Sequence, residues 1–351
     1  MVLFEHHAFD DHEQVAFIND RKTGLQAIIA VHNTHLGPAL GGCRMWPYHS
    51  SAEALNDVLR LSKGMTYKSA LAKLPLGGGK SVIIGNPRNI KSKELMLKMG
   101  EFVNSFDGSY IVAEDSGISV EDIQHMEQRT KFVGGTHAYY HYNNEAANGN
   151  PAPSTAYGVF VGLQAAVKFK LKSDLQGVTV AIQGLGHVGY RLAEHLYKAG
   201  AKLIVTDIYP DNLEKAQSKF AATIVSPDEI YNVQADVFSP CALGAIIDDA
   251  SLAQLKVAVV AGAANNQLAE ERHGLVLLDK GILYAPDYVI NAGGVIDIYH
   301  QTLTDSSAAK MRQHIENIGD TLGSIFTRAD VEQLPTNIVA NTMAEEIFKP
   351  N

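Results

Sequence analysis

Six residues near the middle of the chain, Gly184-Leu-Gly-His-Val-Gly189, limit its fold more than any other stretch. They fit G-x-G-x-x-G, follow an apolar run at 178–183 that reads as a strand, and open a helical pattern at 188–199 closed by Gly200. In that setting each glycine has a task. Gly184 makes the tight turn, Gly186 lets the backbone approach a pyrophosphate, and Gly189 lets helix and strand pack closely. The phosphates would sit at the positive end of the helix, where His187 and Val188 complete the loop, His187 facing solvent. Asp207 stands 23 residues after Gly184, at the tip of a second strand over 202–206. A carboxylate there accepts hydrogen bonds from ribose hydroxyls and repels a 2′-phosphate, which favours NAD over NADP. A ligand-free βα turn and an FAD site are the alternatives.

Further short strands at 237–238, 257–261 and 282–285 alternate with helical segments. That alternation means a Rossmann-type, doubly wound parallel sheet. The 351 residues exceed one such unit, and about two domains are expected. Residues 1–140 read as a mixed α/β substrate and dimerisation domain: strands at 25–31, 81–84 and 110–113, helices at 51–72, 94–106 and 120–127. Ser50 or Ser51 ahead of Glu53 is a capping arrangement. Residues 134–153, rich in Gly, Pro, Asn and Tyr, read as a linker or lid, after which Ser154 or Thr155 caps a helix. The dinucleotide domain is expected over 150–329, with the active-site cleft between the two. Helical patterns at 307–327 and 338–348 have no strand partner, so 330–351 is expected to return to the first domain.

Charge and cysteine content narrow the function classes. The formal net charge is −9 with no basic stripe, which argues against a nucleic-acid partner. The two cysteines, Cys43 and Cys241, exclude a disulfide framework and a Cys-rich zinc site, and suit a reduced cytoplasmic protein. The first residues lack a signal-peptide pattern, and no apolar run approaches the roughly 20 residues that cross a bilayer. His6, His7 and His12 lack acidic or thiol partners at ligand spacing, so no metal is expected. Trp46 reads as a packing residue.

Gly77-Gly-Gly-Lys-Ser81 imitates a P-loop but has Leu74 where that motif needs glycine. Read as a turn before a strand, its glycines would allow close approach to a ligand, and Lys80, desolvated among apolar neighbours, would work as a base. Lys68 offers a fixed positive charge near the end of its helix. Glu114 and Asp115 follow directly on a buried strand, where carboxylates commonly face a cleft.

These segments, together with LGPALGGCR (36–44), KGMTYK (63–68), LGGGK (76–80), AEDSG (113–117), PCALG (240–244), AGAANNQ (261–267) and APDYVINAGG (285–294), resemble the glutamate/leucine/phenylalanine/valine amino-acid dehydrogenases over nearly the whole chain. The resemblance implies NAD-dependent oxidative deamination of an L-amino acid. It implies that Lys68 binds the substrate carboxylate, Lys80 activates water, Asp115 moves protons at the amino group, and Asn265 meets substrate and nicotinamide. Gly41 and Met65 would line the substrate site, and Thr155, Ala242 and Asn291 the cofactor site. Where glutamate enzymes carry polar groups for the side-chain carboxylate, this chain has Leu40 and Ile298. A buried carboxylate without a partner costs several kcal/mol, so glutamate is disfavoured. Ala113 with Val295 is the leucine-type pair, and leucine, valine and isoleucine are the expected substrates. Phenylalanine or tryptophan is the runner-up, and a catalytically idle NAD-binding sensor the reading from another class. Cys43 replaces a common threonine. Residues 134–153 look longer than usual and carry His137, Tyr139, Tyr140, His141 and Tyr142. The chain ends soon after its last helix, where many leucine enzymes continue into a basic tail. A homodimer through the first domain is therefore expected, with an octamer in doubt.

Overall fold

The structure, a computed structural model, describes residues 3–136, 140–147 and 149–349. His137 and Tyr139 lie outside the described residues. The first part runs β1 (Gln14–Asp20), β2 (Leu25–Asn33), β3 (Ala39–Trp46), α1 (Ser51–Leu71), β4 (Gly77–Ile84), α2 (Lys93–Asn104), β5 (Tyr110–Ala113) and α3 (Val120–Glu127). Its five strands form one sheet in the order β1-β2-β4-β3-β5. β2 pairs antiparallel with β1 and β4, whereas β3 lies parallel to β4 and β5, so the sheet is mixed.

Alternation along β2 sets the layers. Ile28 and Ala30 pack with Ala54, Val58 and Leu59 of α1, while Leu25, Ala27, Ile29 and Val31 face Leu95, Met96 and Met99 of α2. Ser50 caps α1 by accepting from the Glu53 amide at 3.1 Å, an arrangement worth about 1 kcal/mol.

The second part begins with α4 (Ala152–Leu171) and continues through β6 (Thr179–Gln183), α5 (Gly189–Lys198), β7 (Lys202–Thr206), α6 (Pro210–Phe220), β8 (Thr223–Ile224) and β9 (Val237–Pro240). α7 (Asp249–Gln254), β10 (Val259–Val260), α8 (His273–Asp279), β11 (Leu283–Tyr284), α9 (Asp287–Ile290), α10 (Gly293–Thr302), α11 (Ala308–Glu332) and α12 (Thr336–Phe348) follow. The six strands are parallel in the order β11-β10-β9-β6-β7-β8. This is the dinucleotide-fold order, reversing direction beside β6. α12 packs on α1: Tyr67 donates to Glu345 at 2.5 Å and its ring meets Phe348 edge-on. No helix among the described residues is long and apolar enough to cross a membrane.

Several sequence expectations need correction. β1 and β3 were not foreseen as strands; β3 carries two glycines and is buried along most of its length, so period-2 alternation is lost. Lys80 lies inside β4, not on a turn ahead of it. The glycines before it make room for protein, not ligand: a Cβ on Gly78 would sit 2.0 Å from the Thr66 amide, and one on Gly79 2.7 Å from the Tyr110 ring. Ser154 and Thr155 are not caps, because α4 starts at Ala152 behind Pro151, a proline-led start that replaces side-chain capping. His6 and His12, read only as lacking metal partners, are buried, and His12 Nε2 lies 3.0 Å from Ser62 Oγ. Trp46 is 52% exposed and is not a core residue.

Candidate active site

Three elements of the first sheet bring the charged residues together. β4 carries Lys80, the end of β5 delivers Asp115, and α1, packed on β4, carries Lys68. Lys80 Nζ lies 2.5 Å from Asp115 Oδ2, with both side chains largely buried. A Cβ on Gly42 would fall 2.7 Å from Asp115 Cβ, so only glycine leaves space for this pair. Arg44, one pleat along β3, brings Nε to 3.4 Å from the same carboxylate oxygen. Burial opposes the Asp115 charge, yet Lys80 and then Arg44 outweigh it and hold the carboxyl well below the usual range. Its neighbour Glu114 goes the other way: burial, then the Asp115 charge, pushes its carboxyl up.

Lys68 has no ion-pair partner within 4 Å among the described residues. Burial lowers its pKa to about 8; Asp287 opposes that shift and Lys80 adds to it. Asp287 is a site residue that the sequence reading missed, although the motif holding it was recognised. It accepts from the Asn266 amide and from Tyr284. It thereby ties the loop bearing Asn265 to α9. Asn291 Nδ2 donates to Asn265 Oδ1 at 2.7 Å and to the Ala263 carbonyl at 3.1 Å. This orients the Asn265 amide, whose NH₂ group has no hydrogen-bond partner among the described residues.

The apolar lining comes from both parts of the chain. Leu40, Ala113 and Val295 are buried in one cluster, against which Met65, Ile111 and Ile298 pack. Gly42 of β3 pairs with Ala113 of β5, and Gly41 accepts from the Tyr110 hydroxyl at 2.9 Å. Gly134 was missed as a site residue: a Cβ there would stand 3.0 Å from Ile298 Cγ2 and 3.6 Å from Leu40 Cδ1. Thr155 donates to the Pro151 carbonyl in the first turn of α4 and leaves no room for a side chain at Gly294.

At the carboxyl ends of β6 and β7 lies a groove of about 930 Å³ lined by Gly184, Gly186, His187, Asp207, Ala242 and neighbouring residues. Gly184 has φ +95°, a Cβ on Gly189 would collide with the Gly184 carbonyl, and one on Gly186 would meet open space. His187 is exposed. Asp207 accepts from the Tyr209 amide at 2.8 Å and the Leu185 amide at 2.5 Å. Gln183 Oε1 and Thr206 Oγ1, both in the groove lining, are buried with no protein hydrogen-bond partner among the described residues. Open backbone at the loop and unpaired acceptors beside it fit a dinucleotide. Burial pushes the Cys241 thiol up, which disfavours a thiolate nucleophile. No cluster of three or more potential metal ligands occurs among the described residues.

Comparison with known proteins settles the relationship. Residues 12–132 match "Glu/Leu/Phe/Val dehydrogenase, dimerisation domain", and residues 149–209 and 208–337 match "Glutamate/Leucine/Phenylalanine/Valine dehydrogenase". The chain belongs to the Glu/Leu/Phe/Val dehydrogenase family. Leucine dehydrogenase of Thermoactinomyces intermedius is 49% identical over 347 residues, covering 99% of this chain and 93% of that enzyme. Phenylalanine dehydrogenase of Caldalkalibacillus thermarum is 47% identical over 342 residues, 96% of this chain and 91% of that enzyme. The crystal structure of L-tryptophan dehydrogenase from Nostoc punctiforme superposes with a TM-score of 0.83 at 43% identity, covering 96% of each chain. Dehydrogenases of this family use nicotinamide dinucleotides, and the two-part fold described above is the family's fold.

Proposed function

We propose that the protein is an NAD-dependent L-amino-acid dehydrogenase that oxidatively deaminates branched-chain amino acids, leucine first and valine and isoleucine with it. The observation that carries this reading is Lys68: a desolvated amine without an ion-pair partner, beside the Lys80–Asp115 pair and bordered by apolar side chains. Such an amine is a receptor for a carboxylate. Leu40 and Ile298 give no polar contact to a side chain, which favours an aliphatic substrate and disfavours glutamate. The dinucleotide, held by Gly184, Gly186, Gly189 and Asp207 with Ala242, Asn291 and Thr155 toward its nicotinamide end, supplies the acceptor for the hydride leaving Cα.

The chain's own groups do the rest. Lys68 anchors the α-carboxylate and Asn265 orients the substrate. Asp115 takes up and returns protons at the amino group. Lys80, acting as a base, hydrogen-bonds and activates the water that adds to the substrate iminium carbon. Amino acid, water and NAD become 2-oxo acid, ammonium and NADH with release of one proton. The match of 12–132 to a dimerisation domain supports assembly of copies through the first sheet.

NADH formation from a panel of L-amino acids tests the reading. Leucine, valine and isoleucine should turn over faster than phenylalanine, tryptophan and glutamate. A preference for phenylalanine or tryptophan would keep the chemistry and reject the pocket. Absence of turnover with every amino acid, with NAD still bound, would reject the enzyme.

A further inference from the structure

The Asp115 carboxylate is not Lys80's alone. Arg44 Nη1 reaches Asp57 Oδ2 on α1 at 3.0 Å, while its Nε faces Asp115 at 3.4 Å. Asp57 in turn accepts from the Tyr48 hydroxyl at 2.6 Å. One guanidinium therefore bridges a carboxylate on α1 and the carboxylate of the catalytic pair. Its side chain is about one-fifth exposed, and Asp57's about one-quarter. No reacting group is needed there, since guanidinium keeps its proton at any pH an enzyme meets. We propose that Arg44 is a positioning residue: it shares the Asp115 carboxylate with Lys80, so that Lys80 faces only part of a counter-charge.

The physical reason is the requirement on Lys80. An amine that activates water must be able to part with its proton near working pH. A carboxylate dedicated to one ammonium favours the protonated form, and Asp115 Oδ2 lies 2.5 Å from Lys80 Nζ. A permanent second cation on the same carboxylate oxygen weakens that preference without exposing the pair to solvent. The titratable and charged groups facing this centre are Lys80 on β4, Lys68 and Asp57 on α1, Glu114 beside Asp115, Arg44 and the Cys43 thiol on β3, Asp287 on α9 beside Lys68, and the Tyr48 hydroxyl on Asp57. Removing a cation from this set raises the proton affinity of every remaining member. Removing an anion lowers it. The sign of the effect is therefore independent of which group carries the proton.

The inference rests on the dehydrogenase reading and is tested on the full-length enzyme through the pH profile of kcat at saturating leucine and NAD, where titration of free substrate does not enter. R44M should move the limb on which activity rises with pH toward alkaline pH by about one unit. That is about a tenfold loss near neutrality, recovered at high pH. D57N should move the same limb toward acid, because it deletes the competing anion. R44K, which keeps the charge, should restore most of the R44M displacement. Opposite shifts in R44M and D57N are not what loss of packing produces. Should R44M fail to fold, as judged by circular dichroism, D57N and R44K carry the test. An unmoved limb, or a loss equal at all pH values, in variants that fold beside an active wild type would overturn the role of Arg44 alone. An inactive wild type would take down both this role and the dehydrogenase reading.

Discussion

Asp207 accepts from the amides of Leu185 and Tyr209, and so pins the glycine loop to the tip of β7 while its charge faces the groove. Arg191, Lys215 and Lys219 line the same groove. A 2′-phosphate would meet one anion and three cations, and the anion is the nearer to the ribose by the logic of the fold. Asp207→Ala should therefore narrow the preference for NAD over NADP by roughly 10- to 100-fold, at about 1.4 kcal/mol per decade. The ratio of kcat/KM for the two cofactors reads this directly, and an unchanged ratio would show that the carboxylate does not discriminate. The same residue illustrates what a sequence discloses. Asp207 was legible because its partner motif lies 23 residues away on the neighbouring strand. Arg44, Gly134 and Asp287 were not legible as site residues, because each acquires its meaning from a side chain on a distant element: Asp115, Ile298 and Lys68.

At the scale of elements, the same division separates the two sheets. β6, α5 and β7 are contiguous, and their turn chemistry and apolar runs specify them locally. β3 and β4 are glycine-rich strands inside a mixed sheet: Gly78 and Gly79 of β4 lie against Thr66 and Tyr110, Gly42 of β3 lies against Asp115, and of the two strands only 81–84 was legible. α12 was visible as a helix, and its landing place on α1 comes from packing. Phe348 is 1% exposed between Tyr67 and His32. Phe348→Ala should cost about 3–5 kcal/mol in denaturant unfolding, whereas Tyr67→Phe, losing one bond to Glu345, should cost about 1.5–3 kcal/mol. A Phe348→Ala loss below about 1 kcal/mol would mean that α12 is not part of the cooperative core.

Across the whole molecule, a chain of imidazoles joins the two parts. His314 Nε2 donates to the Ala72 carbonyl at the end of α1, at 2.7 Å. Its Nδ1 lies 3.0 Å from His300 Nε2, and His300 Nδ1 lies 2.6 Å from Ser306 Oγ. Burial, reinforced by His314, lowers the His300 pKa to about 4, and burial with His12 does the same for His32. The unfolded chain binds protons at these sites from about pH 6.5, so their contribution to stability is intact above that pH and is lost as pH falls toward 4. Glu114 and Asp287, whose carboxyls burial pushes up, act in the opposite sense. His300→Gln isolates the histidine part: its unfolding midpoint should fall less steeply between pH 6.5 and 4 than that of the parent, and equal slopes would count against the linkage.

A Cβ on Gly134 would meet both Ile298 of α10 and Leu40 of β3, so in the proposed reading the walls that gauge a substrate's side chain are jaws mounted on different parts of the chain. A calliper of this kind is calibrated by the angle of its hinge as much as by the faces of its jaws. A side chain too short leaves a gap for water, and one too long props the jaws apart; in both cases the penalty falls on assembly of the reacting groups, and the substrate panel would register it in kcat more than in KM. In the proposed reading, residues that line nothing but set how far the two parts close would be part of the specificity of the enzyme.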